Sequence, residues 1–247
     1  MLMLQKIKNN KRIFNLIWAI RGLWGMTPEK KNELFFRKKT KNIIPNYLNQ
    51  YKETRKLNIG AQIHVQEGWL SVDIWPAKEG IAYMDATKPF SLENESFDYI
   101  FSEHMIEHIP LQDGFFMLKE CYRILKTGGK IRVATPCMDY LIEKVDKQDE
   151  TTQKYFQKLV KPIMATDINI SIDRAYFINY LTYNYNHRFI YSKACLTDLL
   201  TDAGFKNIKV YQPEQSDDEN LKNMEIHHQY VGDEINNFET IVVEAEK

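Results

Sequence analysis

The chain has only three cysteines in 247 residues, Cys121, Cys137 and Cys195, with no C-x-x-C among them. An odd, scattered set excludes a disulfide framework and fits a reducing compartment. No G-x-G-x-x-G is present, which argues against a nicotinamide enzyme. There is no internal repeat and no low-complexity tract. No apolar run reaches the roughly 18–20 residues that span a bilayer. Residues 13–25 follow a basic start, but Asn15 and Arg21 interrupt them and no small-x-small cleavage site follows, so they are not expected to be a signal peptide. A cytoplasmic protein is expected.

Net charge is absent as well, but only in sum. Residues 1–56 hold fourteen Lys/Arg and three Asp/Glu, a net of +11, which leaves −11 on the remainder. A basic arm on an acidic body suits an internal clamp, or a surface for phosphate or anionic lipid.

The pattern divides the chain into an arm, residues 1–55, and a domain, residues 56–247, with an aromatic-rich insertion at 139–186. In the arm, Ile13, Leu16, Ile17, Ile20, Leu23 and Trp24 recur at helical spacing and predict a helix over 11–24. Pro28 and the basic Arg37–Lys39 suit the ends of a second helix over 28–39. The insertion carries Tyr155, Phe156, Tyr176, Phe177, Tyr180, Tyr183 and Tyr185. A helix over 192–203 ended by Gly204, strands near 206–211 and 238–245, and a surface loop at 215–220 complete the domain.

The informative stretch is 56–136. Leu57–Ile59 reads as a buried strand running into Gly60, where a missing Cβ allows close approach of a ligand. The link to the next strand, Leu70–Ile74, is too short for a full crossover helix, and one or two helical turns are expected. Asp73 ends the second strand and Asp85 the third. A carboxylate at the tip of the second strand is where ribose hydroxyls are held in open α/β sheets. Asp113 is the expected cap of a helix ending near Lys126, and Gly128-Gly129 then turn the chain into a strand over 130–135.

Most reactive side chains fall in Ser102–His108. His104-Met-Ile-Glu-His108 matches the H-x-x-E-H pattern of inverted zinc peptidases. Pro110 leaves little more than one helical turn there, so no metal is expected. The preferred reading is a ligand-facing loop at the carboxyl edge of the fourth strand. His187 is a second candidate for that face, or a structural histidine bonded to a loop carbonyl. His227 and His228 are adjacent and are expected to serve different faces.

LNIGA…GWLSVDI, MDATKPF, FDYIFSEHMIEHI and ECYRILKTGGKIRVATP together resemble class I S-adenosylmethionine-dependent methyltransferases. The likeness is to a small bacterial branch associated with polysaccharide biosynthesis, and 186–208 and 238–247 share it. It implies an α/β, Rossmann-like sheet of seven strands, mostly parallel, with an antiparallel last strand and helices on both faces. It implies S-adenosyl-L-methionine as cofactor, held by Gly60 and Ala61 at the methionine part, Asp73 with Ile74 at the ribose, and Asp85 with Ala86 at the adenine. Ser102, Glu103 and His104 would line the methyl-donor pocket. Where the family usually has a second glycine or a cysteine, Ala61-Gln62 follow.

The acceptor implied by the resemblance is a sugar hydroxyl in a glycan or related small molecule. Its proton would go to a base near neutral pKa: His104, with His108 or His187 as substitutes. No nucleic-acid substrate is expected, since the body is acidic and the fourth-strand loop reads SEHM. Residues 1–25 could touch a membrane peripherally, or the arm could pack on its own domain or in a homodimer. A non-catalytic cofactor-binding partner of another enzyme is the rival reading.

Overall fold

The computed structural model describes residues 27–164 and 167–247. The expected helix over 11–24 and the expected membrane contact through 1–25 lie outside the described residues. No helix among the described residues is long and apolar enough to cross a membrane.

The described part of the arm docks on the sheet. Helix α1 (Pro28–Thr40) starts where Thr27 caps the Lys30 amide, and Glu33 links Lys30 to Arg37 on its exposed side. Helix α2 (Ile43–Gln50) buries Tyr47. The Tyr47 hydroxyl lies 2.9 Å from the Lys56 carbonyl and accepts the Lys56 N–H at 2.7 Å, so it closes the open end of the first strand.

Seven strands follow in chain order: β1 (Lys56–Ile59), β2 (Trp69–Asp73), β3 (Ala82–Tyr83), β4 (Phe97–Glu103), β5 (Leu125–Pro136), β6 (Lys206–Tyr211) and β7 (Thr240–Glu246). Their spatial order is β3-β2-β1-β4-β5-β7-β6. β7 runs antiparallel to both β5 and β6, and the other pairs are parallel. The expected sheet, with its antiparallel last strand, is therefore what the chain forms. The strand order reverses between β1 and β4, the place where such sheets bind ligands beyond their carboxyl ends.

The two faces of the sheet are closed by different physics. On the first, Leu57, Ile59, Ile100, Ile131 and Val133 pack against Leu118 and Cys121 of α3 (Leu111–Ile124), and against Leu196 and Leu200 of a later helix, all fully or nearly fully buried. This is apolar burial on the period of two that strands impose. On the second face, the segment from Gln212 to His227 lies over Trp69 and Phe101 through Leu221 and Met224. Arg132 points into this layer with no solvent exposure. It holds Glu225 bidentately at 2.6 and 2.8 Å and Glu244 at 2.5 Å.

Several local expectations change. The link from Gly60 to β2 holds turns and no helix, because the Gly60 and Ala61 amides both donate to the Val72 carbonyl at 3.0 Å and fold the link straight back. Pro110, not Asp113, is the cap residue of α3: its carbonyl accepts the Gly114 N–H at 2.9 Å, and Asp113 sits in the first turn. β5 begins at Leu125, ahead of the two glycines.

The insertion is a packed helical subdomain. It comprises α4 (Met138–Lys147), α5 (Glu150–Tyr155), a wider π turn over Phe156–Val160, α6 (Lys161–Met164) and α7 (Arg174–Tyr183). Tyr155, Phe156, Phe177 and Tyr180 form its core with Phe238 from the chain just before β7. Tyr155, Phe156 and Phe177 are therefore unavailable to a ligand, while Tyr183 and Tyr185 are exposed. Helix α8 (Lys193–Ala203) runs from the Ser192 cap to a left-handed Gly204, as its sequence implies. The short α9 (His228–Val231) and α10 (Asp233–Glu239) lead into β7.

Candidate active site

The carboxyl ends of β1 and β4 open into two cavities with a common wall. The first, about 240 Å³, is lined by Gly60, Ala61, Gln62, Glu103 and His104. The second, about 430 Å³, is lined by Glu107, His108, Tyr180, Tyr185, His187 and Glu239. Gln62, His104, His227 and Tyr230 line both. Four of the six histidines of the chain thus border the second cavity.

Gly60 adopts φ +77°, and a Cβ built there would lie 2.3 Å from Met105 Cγ. Both facts require glycine: the left-handed backbone and the close approach of the β4 loop. Asp73 is nearly buried at the tip of β2. Its carboxylate accepts the Gln62 and Trp75 amides at 2.8 and 2.7 Å. Desolvation raises its pKa despite those two bonds. An ionised carboxylate has about four acceptor positions, so room remains for ribose hydroxyls.

The other expected cofactor residues are dispersed. Glu103 lines the first cavity, but its carboxylate accepts the Ile226 and His227 amides at 2.9–3.1 Å, which pins that segment to β4. Burial raises its pKa, opposed by those bonds. Ser102 is buried in β4 and lines neither cavity, because side chains alternate along the strand and Phe101 and Glu103 take the open face. Ala86 is in the core and Ile74 is exposed. Asp85 opens to a separate cavity of about 160 Å³ beside Arg37 and Thr40 of α1, and its Oδ1 accepts the Thr87 amide and hydroxyl.

His104 sits at the wall in a left-handed conformation, φ +44°, which is uncommon for a non-glycine residue. Its ring stacks on His227 with centroids 3.8 Å apart. Nε2 lies 3.1 Å from Thr240 Oγ1, whose own proton goes to Asn236 Oδ1 at 3.0 Å. With Asn236 so oriented, Nε2 is the donor. Nδ1 faces Glu107 Oε1 at 3.2 Å. A proton at Nδ1 would meet that carboxylate. Burial works against the charged ring, but Glu107, Glu239 and Glu103 outweigh it and raise the His104 pKa. The raised pKa and the contacts at both ring nitrogens disfavour His104 as the expected base.

His108 and His187 remain. The Ile106–His108 turn is a single 3-10 turn, as Pro110 requires. The Arg188 and Phe189 amides donate to the Glu107 carbonyl at 2.7 and 3.2 Å and bring the next histidine beside it. The His108 and His187 rings lie 4.9 Å apart. His187 Nδ1 donates to the Leu181 carbonyl at 2.5 Å, which leaves Nε2 with its lone pair. Burial, chiefly, lowers the His187 pKa, so it stays neutral near pH 7. Glu107 is fully buried; its Oε2 accepts the Thr135 hydroxyl at 3.0 Å. Burial pushes the Glu107 carboxyl up, but the adjacent His104 and His108 outweigh it and hold the carboxyl below its ordinary value.

Sequence reasoning did not assign Glu107, Tyr230, Glu239 or Thr240 to the site. Glu239 accepts the Tyr155 hydroxyl and lies 3.3 Å from His227 Nε2, which ties the insertion to the wall. His227 and His228 do serve different faces: the second lies 3.5 Å from Glu214.

A family model described as a methyltransferase domain matches residues 71–133. Phosphoethanolamine N-methyltransferase 2 of Caenorhabditis elegans is 33% identical over 101 residues, 40% of this chain and 22% of that protein. The chain thus spans about a fifth of the length of the curated relative it matches. Among solved structures, an S-adenosylmethionine-dependent methyltransferase of Archaeoglobus fulgidus is 18% identical, covering 87% of this chain and 99% of that one, with a TM-score of 0.46. Phosphoethanolamine N-methyltransferase 2 of Haemonchus contortus, solved with S-adenosyl-L-methionine, is 17% identical, covering 85% and 52%, with a TM-score of 0.40. The chain has the Rossmann-like sheet of the class I methyltransferases, and S-adenosyl-L-methionine is the cofactor of that class. Gly60 and Ala61 line the first cavity and fit a backbone approach, and Asp73, outside that lining but bonded to the Gln62 amide, keeps acceptor positions to spare.

Proposed function

We propose that the protein transfers a methyl group from S-adenosyl-L-methionine to a hydroxyl of a sugar, in a glycan or related small molecule. The single observation that carries this reading is the common wall. A cavity lined by Gly60 and Ala61 meets a chamber bearing His108, His187 and Glu107 at Gln62, His104 and His227. When bound, the cofactor supplies an electrophilic methyl on a sulfonium. Gly60, Ala61 and Asp73 hold it at the β1–β2 edge. The chamber holds the acceptor, so that donor and acceptor meet in one orientation. The cluster of Glu107, His108 and His187 handles the acceptor's proton, since the neutral His187 keeps a free ring nitrogen. Tyr185 and Tyr230 offer exposed ring faces to a sugar. Segment 1–25 is the proposed contact with a membrane carrying a lipid-linked glycan.

A second reading has its own support. Two carboxylates, Glu107 and Glu239, and three tyrosines, Tyr180, Tyr185 and Tyr230, surround the chamber, a setting that also suits a cationic amine. The relative in Caenorhabditis elegans bears the name of an N-methyltransferase. Transfer of labelled methyl from S-adenosyl-L-methionine to matched panels of glycans and small amines separates the two. Label in glycans alone upholds the hydroxyl reading, and label in amines alone replaces it. Saturable cofactor binding with no transfer to either panel leaves a binding partner of another enzyme.

A further inference from the structure

We propose that Glu107, His108 and His187 bind a divalent transition-metal ion in the acceptor chamber. A carboxylate oxygen and one ring nitrogen from each histidine lie within 4.8 Å of one another. Two histidines and one carboxylate with free positions is a donor set that takes ions such as Zn²⁺, Co²⁺, Mn²⁺ or Fe²⁺.

Three further observations point to a ligand. First, Glu107 is fully buried, yet its Oε1 has no hydrogen-bond partner. Its nearest polar neighbour, His104 Nδ1, lies at 3.2 Å without hydrogen-bond geometry. The oxygen therefore keeps acceptor capacity for a second partner. Second, the outer contacts are those of metal ligands. The His187 Nδ1–H is bonded to the Leu181 carbonyl, which fixes the tautomer and leaves Nε2 with its lone pair, and Thr135 holds Glu107 Oε2. Third, no lysine or arginine is among the described residues lining the chamber, so nothing there competes as a cation except His104. The two segments are also fixed before any ion arrives, through the amides of Arg188 and Phe189 on the Glu107 carbonyl.

An ion held there would occupy the lone pairs of both histidines, so in place of a histidine base it would bind the acceptor oxygen and lower its pKa, the proton leaving to water. That use rests on the methyl-transfer reading, but the binding does not. The H-x-x-E-H pattern of zinc peptidases would use His104 and His108, and no metal is expected of it in so short a turn. The proposed site takes His187 in place of His104, because His104 is turned to Thr240 and Glu107.

The test is a titration of the full chain, stripped with chelator and dialysed, with Co²⁺ followed by visible absorption, and with Zn²⁺, Mn²⁺ and Mg²⁺ followed by calorimetry. The expected result is saturable binding of Co²⁺ and Zn²⁺ at one ion per chain, tighter than Mg²⁺. His187→Ala and His108→Ala should each weaken it by about 100-fold, and Thr135→Val, which removes only an outer contact, by about 10-fold. Circular dichroism identifies any variant that fails to fold; Thr135→Val then carries the comparison. No saturable binding by the unaltered chain would overturn the proposal. Equal affinity in folded His187→Ala and His108→Ala would overturn it too, by placing the ion elsewhere. Metal binding without binding of S-adenosyl-L-methionine would instead sink the methyl-transfer reading and leave the metal site standing.

Discussion

The two sides of the site are assembled in opposite ways. The turn that carries Gly60 and Asp73 comes from one short stretch, closed on itself by amides on the Val72 carbonyl and the Asp73 carboxylate, and Glu103, His104 and the 223–230 segment cover it. The acceptor side joins residues from the β4 loop, the end of the insertion, the 212–231 segment and the end of α10. Local chemistry is enough for the turn of the first. The second needs long-range ties, and they are polar: Glu103 to the 226–227 amides, Arg132 to Glu225 and Glu244, and Tyr155 to Glu239. A cofactor edge can therefore survive damage that destroys the chamber, and variants on each side should separate the two.

The largest expected effect is on turnover. His187→Ala should lower methyl transfer by about 100- to 10,000-fold while leaving calorimetric affinity for S-adenosyl-L-methionine unchanged. A matching loss of cofactor affinity would join what the comparison separates. Next in size is Glu225→Ala. It leaves Arg132 buried with half its partners and should cost about 3–5 kcal/mol in denaturant unfolding. Its effect should reach the chamber through the segment that bears His227.

These contrasts also mark what the sequence could tell. The Gly60, Asp73 and Asp85 tips follow from strand periodicity and turn residues, and the seven-stranded sheet with an antiparallel last strand from the family resemblance. Glu107 stood in plain view, yet its partners lie at Thr135 and at the end of the insertion, and no local pattern announces that approach. His104 was the expected base because it is a histidine in the right loop. Its Nε2 is engaged by Thr240, itself bonded to Asn236, both more than 130 residues away. Arg132 sits at an inward position of β5 that reads as a surface residue until Glu225 is brought over it.

Gly60→Ala probes the local side. The left-handed backbone alone should cost about 1–2 kcal/mol, and the clash with Met105 should displace the β4 loop; cofactor affinity and thermal midpoint should fall together. The smallest effect belongs to the arm. Tyr47→Phe removes hydroxyl contacts on Lys56 and Gly68 and should cost about 1 kcal/mol. Burial raises the Tyr47 pKa to about 12, against about 10 unfolded. The group's contribution is therefore complete below about pH 10 and is lost as pH rises through its folded value. The variant should lose less stability than the parent over that alkaline window in thermal melts.

The most direct test of the two-sided site is calorimetric titration of the parent, Asp73→Ala and His187→Ala with S-adenosyl-L-methionine and S-adenosylhomocysteine. Saturable binding by the parent, lost in Asp73→Ala and kept in His187→Ala, is the predicted result. No binding by the parent, or equal loss in both variants, would contradict the account.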